Sequence, residues 1–538
     1  MDPEGLEELT TWARMTFKPA KSRSLVLKKG KVTSKFHFTL GNIQIPSITD
    51  KPVKSLGKVF DCSLRDKTAI QSTNQQLEAW LAMVDKSGLP GKFKAWVYQH
   101  GILPRILWPL LVYEVPISTV EGFERRVSRF LRKWLGLPRC LSSIALYGKN
   151  NMLKLPISSL NEEFKVSRTR EVLQYRESCD PKVSQAGIEV RTGRKWRAAE
   201  AVDVAESRLR HRALVGTVVR GRAGLGSSAT PRYDKAEGKD RRALLQEEVR
   251  ASVEEERASR MVGMRQQGAW TRWEQAAERK VTWTELWRAE PQRIKFLIQA
   301  VYDVLPSPSN LFCWGKVESP ACALCQKRGT LEHILSCCPR GLSEGRYRWR
   351  HDQVLKAIAN TICSGISNCK RLRPVKKTIS FIRAGEEPPA AARTSSSGLL
   401  AMAQDWELRV DLGKQLKFPE DVATTTLRPD VVLTSATSKQ VVLLELTVPW
   451  EDRIEEANER KRAKYQDLVE ECRLNGWRAR CEPIEVGCRG FAGQSLCRVY
   501  SMLGITGASK RRAIKEATEA AEVASRWLWI RRGDPWVG

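Results

Sequence analysis

The chain has 538 residues, 42% of them hydrophobic, and carries 91 Lys and Arg against 61 Asp and Glu, a formal net charge of +30. This length exceeds what one hydrophobic core organises, so we expect three or four domains, and the apolar content excludes a wholly disordered chain. The positive charge recurs along the whole chain together with Trp and Tyr, which favours a nucleic-acid partner over an acidic protein or an anionic membrane.

The 14 Cys are scattered except for a cluster at 313–338, and no N-terminal apolar stretch resembles a signal peptide. We therefore expect a soluble protein of the reducing cell interior, where clustered cysteines bind metal ions more often than they form disulfides. The longest apolar run, Ile102 to Val115, contains Arg105 and two prolines and is too short to span a bilayer. We expect no membrane interaction.

The N-terminal half predicts short strands followed by helices. Residues 23–27 alternate as in a strand, and 28–31 form a turn. From Thr73 to about Arg139 the apolar residues follow helical spacing in two stripes, which are Leu77, Trp80, Leu81 and Val84, and then Phe123, Val127, Phe130, Leu131 and Leu135. Residues 145–300 continue helical and basic, with a Gly/Ser break at 224–228. The segment Lys239–Glu278 is predicted to be a helix whose charged residues are mainly exposed to solvent, although its basic residues also suit contacts along a nucleic acid.

A cysteine- and histidine-containing motif follows these helices. Cys322 and Cys325 are followed by His333 and Cys338 in the pattern C-x2-C-x7-H-x4-C. Two cysteines at this spacing can bind one ion from a tight turn, and a His and a Cys five positions apart can complete the tetrahedron from the start of a helix. We predict that these four residues hold a structural zinc ion.

Other ligand sets and a metal-free interpretation are possible for the same cluster. Cys337 adjoins Cys338, and Cys313 and His351 are further possible substitutes. Cysteines can also be buried as small hydrophobic residues. The metal site is favoured because one of only five histidines falls at the required position.

The segment Gly385–Gly398 is rich in Pro, Ala and Ser and is predicted to be a flexible linker. After this segment come two strand-like runs, a long helix and further strands. This order predicts a separate α/β domain.

Two acids stand in the strand-like runs of that domain. Asp430 lies in the run 428–434, a polar turn covers 435–439, and Glu445 lies in the run 441–447. If the turn is centred between residues 437 and 438, Asp430 and Glu445 are cross-strand partners with side chains on one face. A bound Mg²⁺ or Mn²⁺ would relieve the repulsion between these carboxylates and activate water. The alternative is an edge hairpin with solvated acids.

A helix predicted from Asp452 to Asn475 ends at an Asn-Gly stop. Lys461, Lys464 and Tyr465 lie on the stripe of this helix that must dock on the sheet. A lysine on an inward face needs an anion or must reach out to solvent. Either lysine could therefore assist a metal-bound carboxylate pair, and the sequence does not decide between them.

These residues resemble the non-LTR retrotransposon proteins that carry a restriction-like endonuclease of the PD-(D/E)xK type. The resemblance rests on the stretches Arg428-Pro-Asp430, 445–451, 461–465 and 487–495, with the zinc motif upstream of the nuclease. It implies that Asp430 and Glu445 hold the metal, that Lys461 or Lys464 assists, and that Tyr465 lines the site. Glu451 is a weaker candidate for an additional ligand, and a surface acid near a helix start explains it equally well.

The N-terminus resembles part of a reverse transcriptase. Residues 17–24 are similar to the stretch after the catalytic strand, 53–60 to the primer-grip hairpin, and the helices from 75 to 139 to the thumb. The resemblance implies nucleic-acid contacts by five basic residues, which are Lys18, Lys21, Arg23, Lys54 and Arg489. The chain contains no Asp-Asp dipeptide, so we expect a truncated copy or fragment without reverse transcriptase activity.

The resemblance therefore predicts a multidomain protein, mainly α-helical in its N-terminal and central regions, with a zinc module and an α/β restriction-endonuclease-like domain. The expected segments are a palm remnant (1–70), thumb-like helices (71–145), a basic helical region (146–305), the zinc module (306–375), a linker (376–400) and the endonuclease (401–538).

The expected function is nicking of target DNA in the nucleus, so that the 3′ end primes reverse transcription of bound element RNA. The alternatives are a non-catalytic RNA- or DNA-binding fragment and a decayed element fragment that folds poorly.

Overall fold

The computed structural model describes residues 3–16, 18, 21–40, 43–55, 57–63, 65–222, 233, 235–371, 398–414 and 416–536. Most of the predicted linker (376–400) and the predicted Gly/Ser break at 224–228 lie outside these residues. No helix in the described ranges combines the length and the apolar character that crossing a bilayer requires.

The structure is mainly helical. The helices are α1 (Pro3–Trp12), α2 (Lys67–Lys86), α3 (Gly91–Val97), α4 (Leu103–Val112), α5 (Ile117–Trp134), α6 (Ile144–Tyr147), α7 (Leu160–Arg176), α8 (Pro181–Ser184), α9 (Ala198–Arg222), α10 (Gly238–Val262), α11 (Trp283–Arg288), α12 (Pro291–Val301), α13 (Pro308–Cys313), α14 (Pro339–Ser343), α15 (Arg346–Arg371), α16 (Ile454–Lys464), α17 (Gln466–Leu474), α18 (Gln494–Leu503) and α19 (Gly507–Ile530). Tyr98–Ile102 and His333–Cys337 are π-helical turns.

The strands are short in the N-terminal half and longer near the C-terminus. They are β1 (Leu27–Lys28), β2 (Lys31–Val32), β3 (Thr39–Leu40), β4 (Ile43–Gln44), β5 (Val53–Ser55), β6 (Lys58–Phe60), β7 (Leu153–Lys154), β8 (Arg279–Lys280), β9 (Glu407–Val410), β10 (Val431–Ser435), β11 (Gln440–Thr447), β12 (Arg478–Gly487) and β13 (Phe491–Ala492).

Contacts divide the chain into two compact units, each built from two separate stretches. The first unit is Met1–Leu135 with Ile157–Glu256, and the second is Gly136–Pro156 with Arg257–Gly538. The predicted segments were consecutive along the chain, whereas the units interleave in sequence.

The first unit contains α2 to α5, which cover most of the helical stretch predicted from 73 to 139. Leu77 and Leu81 are fully buried on α2, and Val127 and Leu131 are fully buried on α5. The helical spacing of these residues placed them correctly on the packed faces. A second core in this unit joins α7, α9 and α10.

Two predictions in the N-terminal half were wrong in their bounds. The strand expected over 23–27 is observed only as Leu27–Lys28, because the backbone of Ser24 hydrogen-bonds to Pro46 and Ile48 instead. Lys29 and Gly30, with positive φ values of 49° and 74°, then turn the chain into β2. The charged helix expected to reach Glu278 ends at Val262. Trp273, beyond that end, is buried in the second unit instead of continuing the helix.

The second unit is organised around a five-stranded mixed sheet in the order β13-β12-β11-β10-β9. The strands β9, β10 and β11 are antiparallel neighbours, and β11 and β12 are parallel. Parallel neighbours need a crossover connection, which α16 and α17 supply. The long helix that was predicted is instead two helices. They are separated at Tyr465, whose φ of −107° leaves the helical range.

Apolar side chains cover both faces of this sheet. On one face Val442, Leu444 and Leu446 pack with α15, α18 and α19 and with Leu335, which lies in the predicted zinc module. On the other face Val441 and Leu443 pack with α17. The predicted zinc module and the C-terminal α/β region thus share one core, so the boundary predicted at 376–400 does not separate two cores.

Candidate active site and metal centre

Cys322, Cys325, His333 and Cys338 converge in the second unit. One ligand atom from each residue lies within 4.8 Å of all the others, and Cys325 Sγ lies 3.1 Å from His333 Nε2. A tetrahedral zinc ion with ordinary bond lengths holds its sulfur and nitrogen ligands roughly 3.5–3.8 Å apart. The four groups can therefore hold a metal ion with only small shifts.

The backbone explains this convergence. Cys322 donates its backbone N–H to Lys327 O at 2.7 Å and accepts from the N–H of Gln326, whose φ is +61°. This tight turn brings Cys325 back beside Cys322. Cys338 lies at the start of α14, where its N–H donates to the Tyr347 hydroxyl.

The alternative ligands lie elsewhere. Cys337 and Cys313 are exposed and are not part of the cluster. His351, which the sequence offered as a substitute ligand, lies on α15 in contact with Asp430. The preference for Cys338 over Cys337 agrees with the structure.

A cleft of about 520 Å³ lies beside this cluster in the same unit. Its walls come from the π-helical turn His333–Cys337, α15, the end of β11 and α16. Basic side chains in the lining outnumber acidic ones; they are Arg348, Arg350, Arg428, Arg453, Arg460, Lys461 and Lys464, against Glu332, Asp430, Glu445 and Glu456. A cleft of this charge suits an anionic ligand.

Asp430 and Glu445 meet in this cleft, as the predicted turn centre required. Val431 pairs with Leu444, so the register extended by one residue places Asp430 opposite Glu445. The Asp430 backbone N–H donates to Glu445 Oε2 at 3.2 Å. Both carboxylates are buried, at 4% and 2% exposure, which contradicts the alternative of solvated edge acids.

Lys461 and Lys464 both reach Glu445, at unequal distances. Lys461 Nζ lies 2.5 Å from Glu445 Oε1, whereas Lys464 Nζ lies 3.8 Å away. Lys464 instead donates to the hydroxyl of the fully buried Tyr465 at 2.9 Å, and that hydroxyl donates to Arg428 O. The two lysines share the predicted face, and Lys461 is the one in direct contact with a carboxylate.

His351 is a member of this site that the sequence did not place there. Its Nε2 lies 3.1 Å from Asp430 Oδ2, and its Nδ1 lies 3.0 Å from Asp352 Oδ1. Burial lowers the pKa of His351, but the two carboxylates outweigh burial and raise that pKa to about 9. Burial raises the pKa of Asp430, but the hydrogen bond and charge of His351, the Leu446 N–H and the charge of Lys461 together outweigh burial, so the net shift is downward.

The lysines and the histidine lower the electrostatic repulsion between Asp430 and Glu445. They supply positive charge next to both carboxylates. They therefore relieve the repulsion that had been assigned to a bound metal, and charge balance by itself does not require a cation here.

Glu451 and Arg489 do not have the roles expected of them. Their side chains are fully buried and paired, with Arg489 Nε 2.5 Å from Glu451 Oε2. The guanidinium is stacked between Trp273 and Trp450, 4.0 and 3.5 Å from the ring centroids. Glu451 is therefore neither a surface acid nor a free ligand, and burial removes Arg489 from a surface that nucleic acid could reach.

The four N-terminal basic residues lie in the first unit. Lys18, Lys21 and Lys54 are exposed, and Lys54 lies on the β5–β6 hairpin that the sequence predicted. Arg23 is half-buried and donates to the backbone carbonyls of Lys51 and Ser22. The three lysines are accessible to a phosphate backbone, whereas the Arg23 guanidinium is partly engaged.

Comparison with models of known protein families finds no match, and a search of curated proteins finds no significant match either. The conclusions about this chain therefore rest on its residues and their geometry.

Proposed function

We propose that this protein is a divalent-metal-dependent endonuclease that cleaves DNA phosphodiesters in the cleft of the second unit. The observation that carries the proposal is the meeting of Asp430, Glu445 and Lys461 in one basic cleft. Two carboxylates with a neighbouring amine are the groups that metal-assisted phosphodiester hydrolysis uses.

The residues present fit a Mg²⁺ or Mn²⁺ ion. Mg²⁺ commonly takes one or two protein carboxylates and completes its coordination with water and substrate phosphate. Asp430 Oδ2 accepts from His351 and from Leu446 N–H, and no described residue donates to Oδ1. Thr447 Oγ1, in the cleft lining, is buried and finds no partner among the described residues. Both oxygens are acceptors of the kind that a bound ion or its water shell uses.

Asp430 and Glu445 would hold the ion, which supplies Lewis acidity and a water of lowered pKa when bound. Lys461, already in contact with Glu445, would orient the attacking water or stabilise the charge that develops on the phosphate. Lys464 and Tyr465 support this arrangement, since Lys464 hydrogen-bonds to the Tyr465 hydroxyl.

We further propose that the cluster of three cysteines and one histidine holds zinc in a structural role. Three thiolates and an imidazole are a closed set of ligands that leaves no position for substrate. Because Glu332, Ser336 and Cys337 line the cleft, the metal would hold one wall of the active site in place.

The wider setting follows from the resemblance to non-LTR retrotransposon proteins and from the charge of +30. The partners we propose are target DNA and element RNA, with exposed basic residues such as Lys18, Lys21 and Lys54 contacting phosphates. The proposed site of action is the nucleus.

The test is a nicking assay with purified protein, Mg²⁺ and supercoiled plasmid. Asp430→Ala and Glu445→Ala should each reduce nicking on the order of 100-fold or more. Glu459→Ala, which removes an exposed acid of α16 outside the cleft, is the matched control and should nick normally. Equal nicking by all four proteins would refute the assigned site. Salt-sensitive DNA binding without nicking would instead support a non-catalytic binding protein.

A further inference from the structure

A line of alternating charges runs along α15 into the cleft. Arg348 Nε lies 2.9 Å from Asp352 Oδ1, which also meets His351 Nδ1 at 3.0 Å. The other imidazole nitrogen, Nε2, meets Asp430 Oδ2 at 3.1 Å. This series of Arg348, Asp352, His351 and Asp430 thus joins one turn of α15 to the residue that directly precedes β10.

The imidazole has little freedom to move. Its side chain is 14% exposed and has a carboxylate at each nitrogen. The preceding residue, Arg350, is fully buried and donates to Leu335 O at 2.6 Å and to Val448 O at 3.0 Å. These bonds fix the start of α15 against the π-helical turn and the end of β11, so His351 is held at a set distance from Asp430.

The contact decides how the Asp430 carboxylate is oriented. Its Oδ2 accepts from both His351 Nε2 and Leu446 N–H, the latter at 2.8 Å. These two donors therefore hold Oδ2 and with it the orientation of the Asp430 carboxylate. Oδ1 is left as the oxygen to which no described residue donates.

We propose that His351 is a positioning residue that fixes Asp430 so that Oδ1 faces the divalent cation of the cleft. This inference rests on the proposed function. A donor that orients a metal-binding carboxylate typically contributes a factor of 10–100 to metal affinity or activity. His351 itself touches neither the metal nor the substrate in this role.

The test measures Mn²⁺ binding directly, by electron paramagnetic resonance of the free ion, on zinc-loaded full-length protein. His351→Leu removes the donor and should weaken Mn²⁺ binding 10- to 100-fold. His351→Gln keeps an N–H donor of similar reach and should retain most of the affinity. Unchanged zinc content and thermal unfolding show that the variants are folded.

A second variant covers the case in which His351→Leu fails to fold. Asp352→Asn withdraws the charge behind the imidazole without altering the cleft wall, and should weaken Mn²⁺ binding to a smaller extent. Wild-type Mn²⁺ affinity in Asp352→Asn, with no folded His351→Leu protein, would overturn the proposal.

The outcomes separate this inference from the proposed function. If the wild type binds Mn²⁺ and His351→Leu weakens binding without any nicking in either protein, the positioning role stands and the nuclease proposal fails. If nicking and Mn²⁺ affinity are unchanged in His351→Leu, the positioning role fails and the nuclease stands. No Mn²⁺ binding in the wild type refutes both. Spin-echo modulation from an imidazole nitrogen that disappears in His351→Gln would show direct ligation and overturn the positioning role.

Discussion

The buried pair Glu451–Arg489 offers a sharp test of the structure. Glu451 Oε2 accepts from Arg489 Nε at 2.5 Å, and Glu451 Oε1 accepts from the Arg489 backbone N–H at 2.7 Å. Glu451→Gln keeps the shape of the side chain but leaves the Arg489 guanidinium, only 1% exposed, without its counter-charge. Breaking one partner of such a pair costs about 3–5 kcal/mol. We expect a loss of this size in the unfolding free energy of the second unit.

The assay is urea denaturation followed by tryptophan fluorescence, to which Trp273 and Trp450 beside the guanidinium contribute. The double variant Glu451→Leu/Arg489→Met removes both charges and should recover most of the loss. A loss below about 1 kcal/mol for Glu451→Gln, or a double variant no more stable than the single one, would refute the reasoning. Wild-type stability combined with lost nicking would instead restore Glu451 as a metal ligand.

Three further perturbations test other parts of the molecule. Cys322→Ser should lose bound zinc and with it most nicking activity, whereas Cys337→Ser should keep both. Metal analysis and the plasmid nicking assay measure the two effects. Lys461→Ala should reduce nicking about 100-fold or more, and Lys464→Ala should reduce it less. Of the two lysines, Lys461 is the one within 3 Å of the Glu445 carboxylate. An equal loss of nicking in both variants would contradict the assignment. Asp405 has its pKa lowered to about 2 from an ordinary 3.8 by hydrogen bonds from the β10–β11 turn. Its stabilising contribution is therefore present above pH 3.8 and lost as pH falls through about 2, so the stability difference between wild type and Asp405→Asn should shrink between pH 6 and pH 2.

The sequence predicted the parts of the site that depend on local spacing. The position of Asp430 opposite Glu445 followed from a short polar turn, because a hairpin fixes its register within a few residues. The cluster of three cysteines and one histidine followed in the same way, since 17 positions cover the whole motif.

The parts that depend on distant packing were not predictable. His351 and Asp430 are 79 residues apart, and no spacing rule connects a helix to a strand across such a gap. Glu451 was predicted to be a surface acid or an additional ligand and Arg489 a nucleic-acid contact, because the sequence alone does not show that two tryptophans enclose the Arg489 guanidinium. The break at Tyr465 was missed because an apolar stripe at helical spacing continues across it.

Because the two units interleave in sequence, the first stretch of the second unit is synthesised long before the rest of that unit. Residues 136–156 belong to the second unit, yet about a hundred residues of the first unit follow them before that unit resumes. The buried Asn151 amide donates to the Tyr302 hydroxyl, a partner synthesised 151 residues later. At about 5–20 residues per second, the interval between the synthesis of Asn151 and that of Tyr302 is roughly 8 to 30 seconds. During that time Leu141, Leu146 and Leu153, which are buried in the folded protein, remain uncovered by the rest of their own unit. This stretch of the nascent chain is therefore exposed to aggregation.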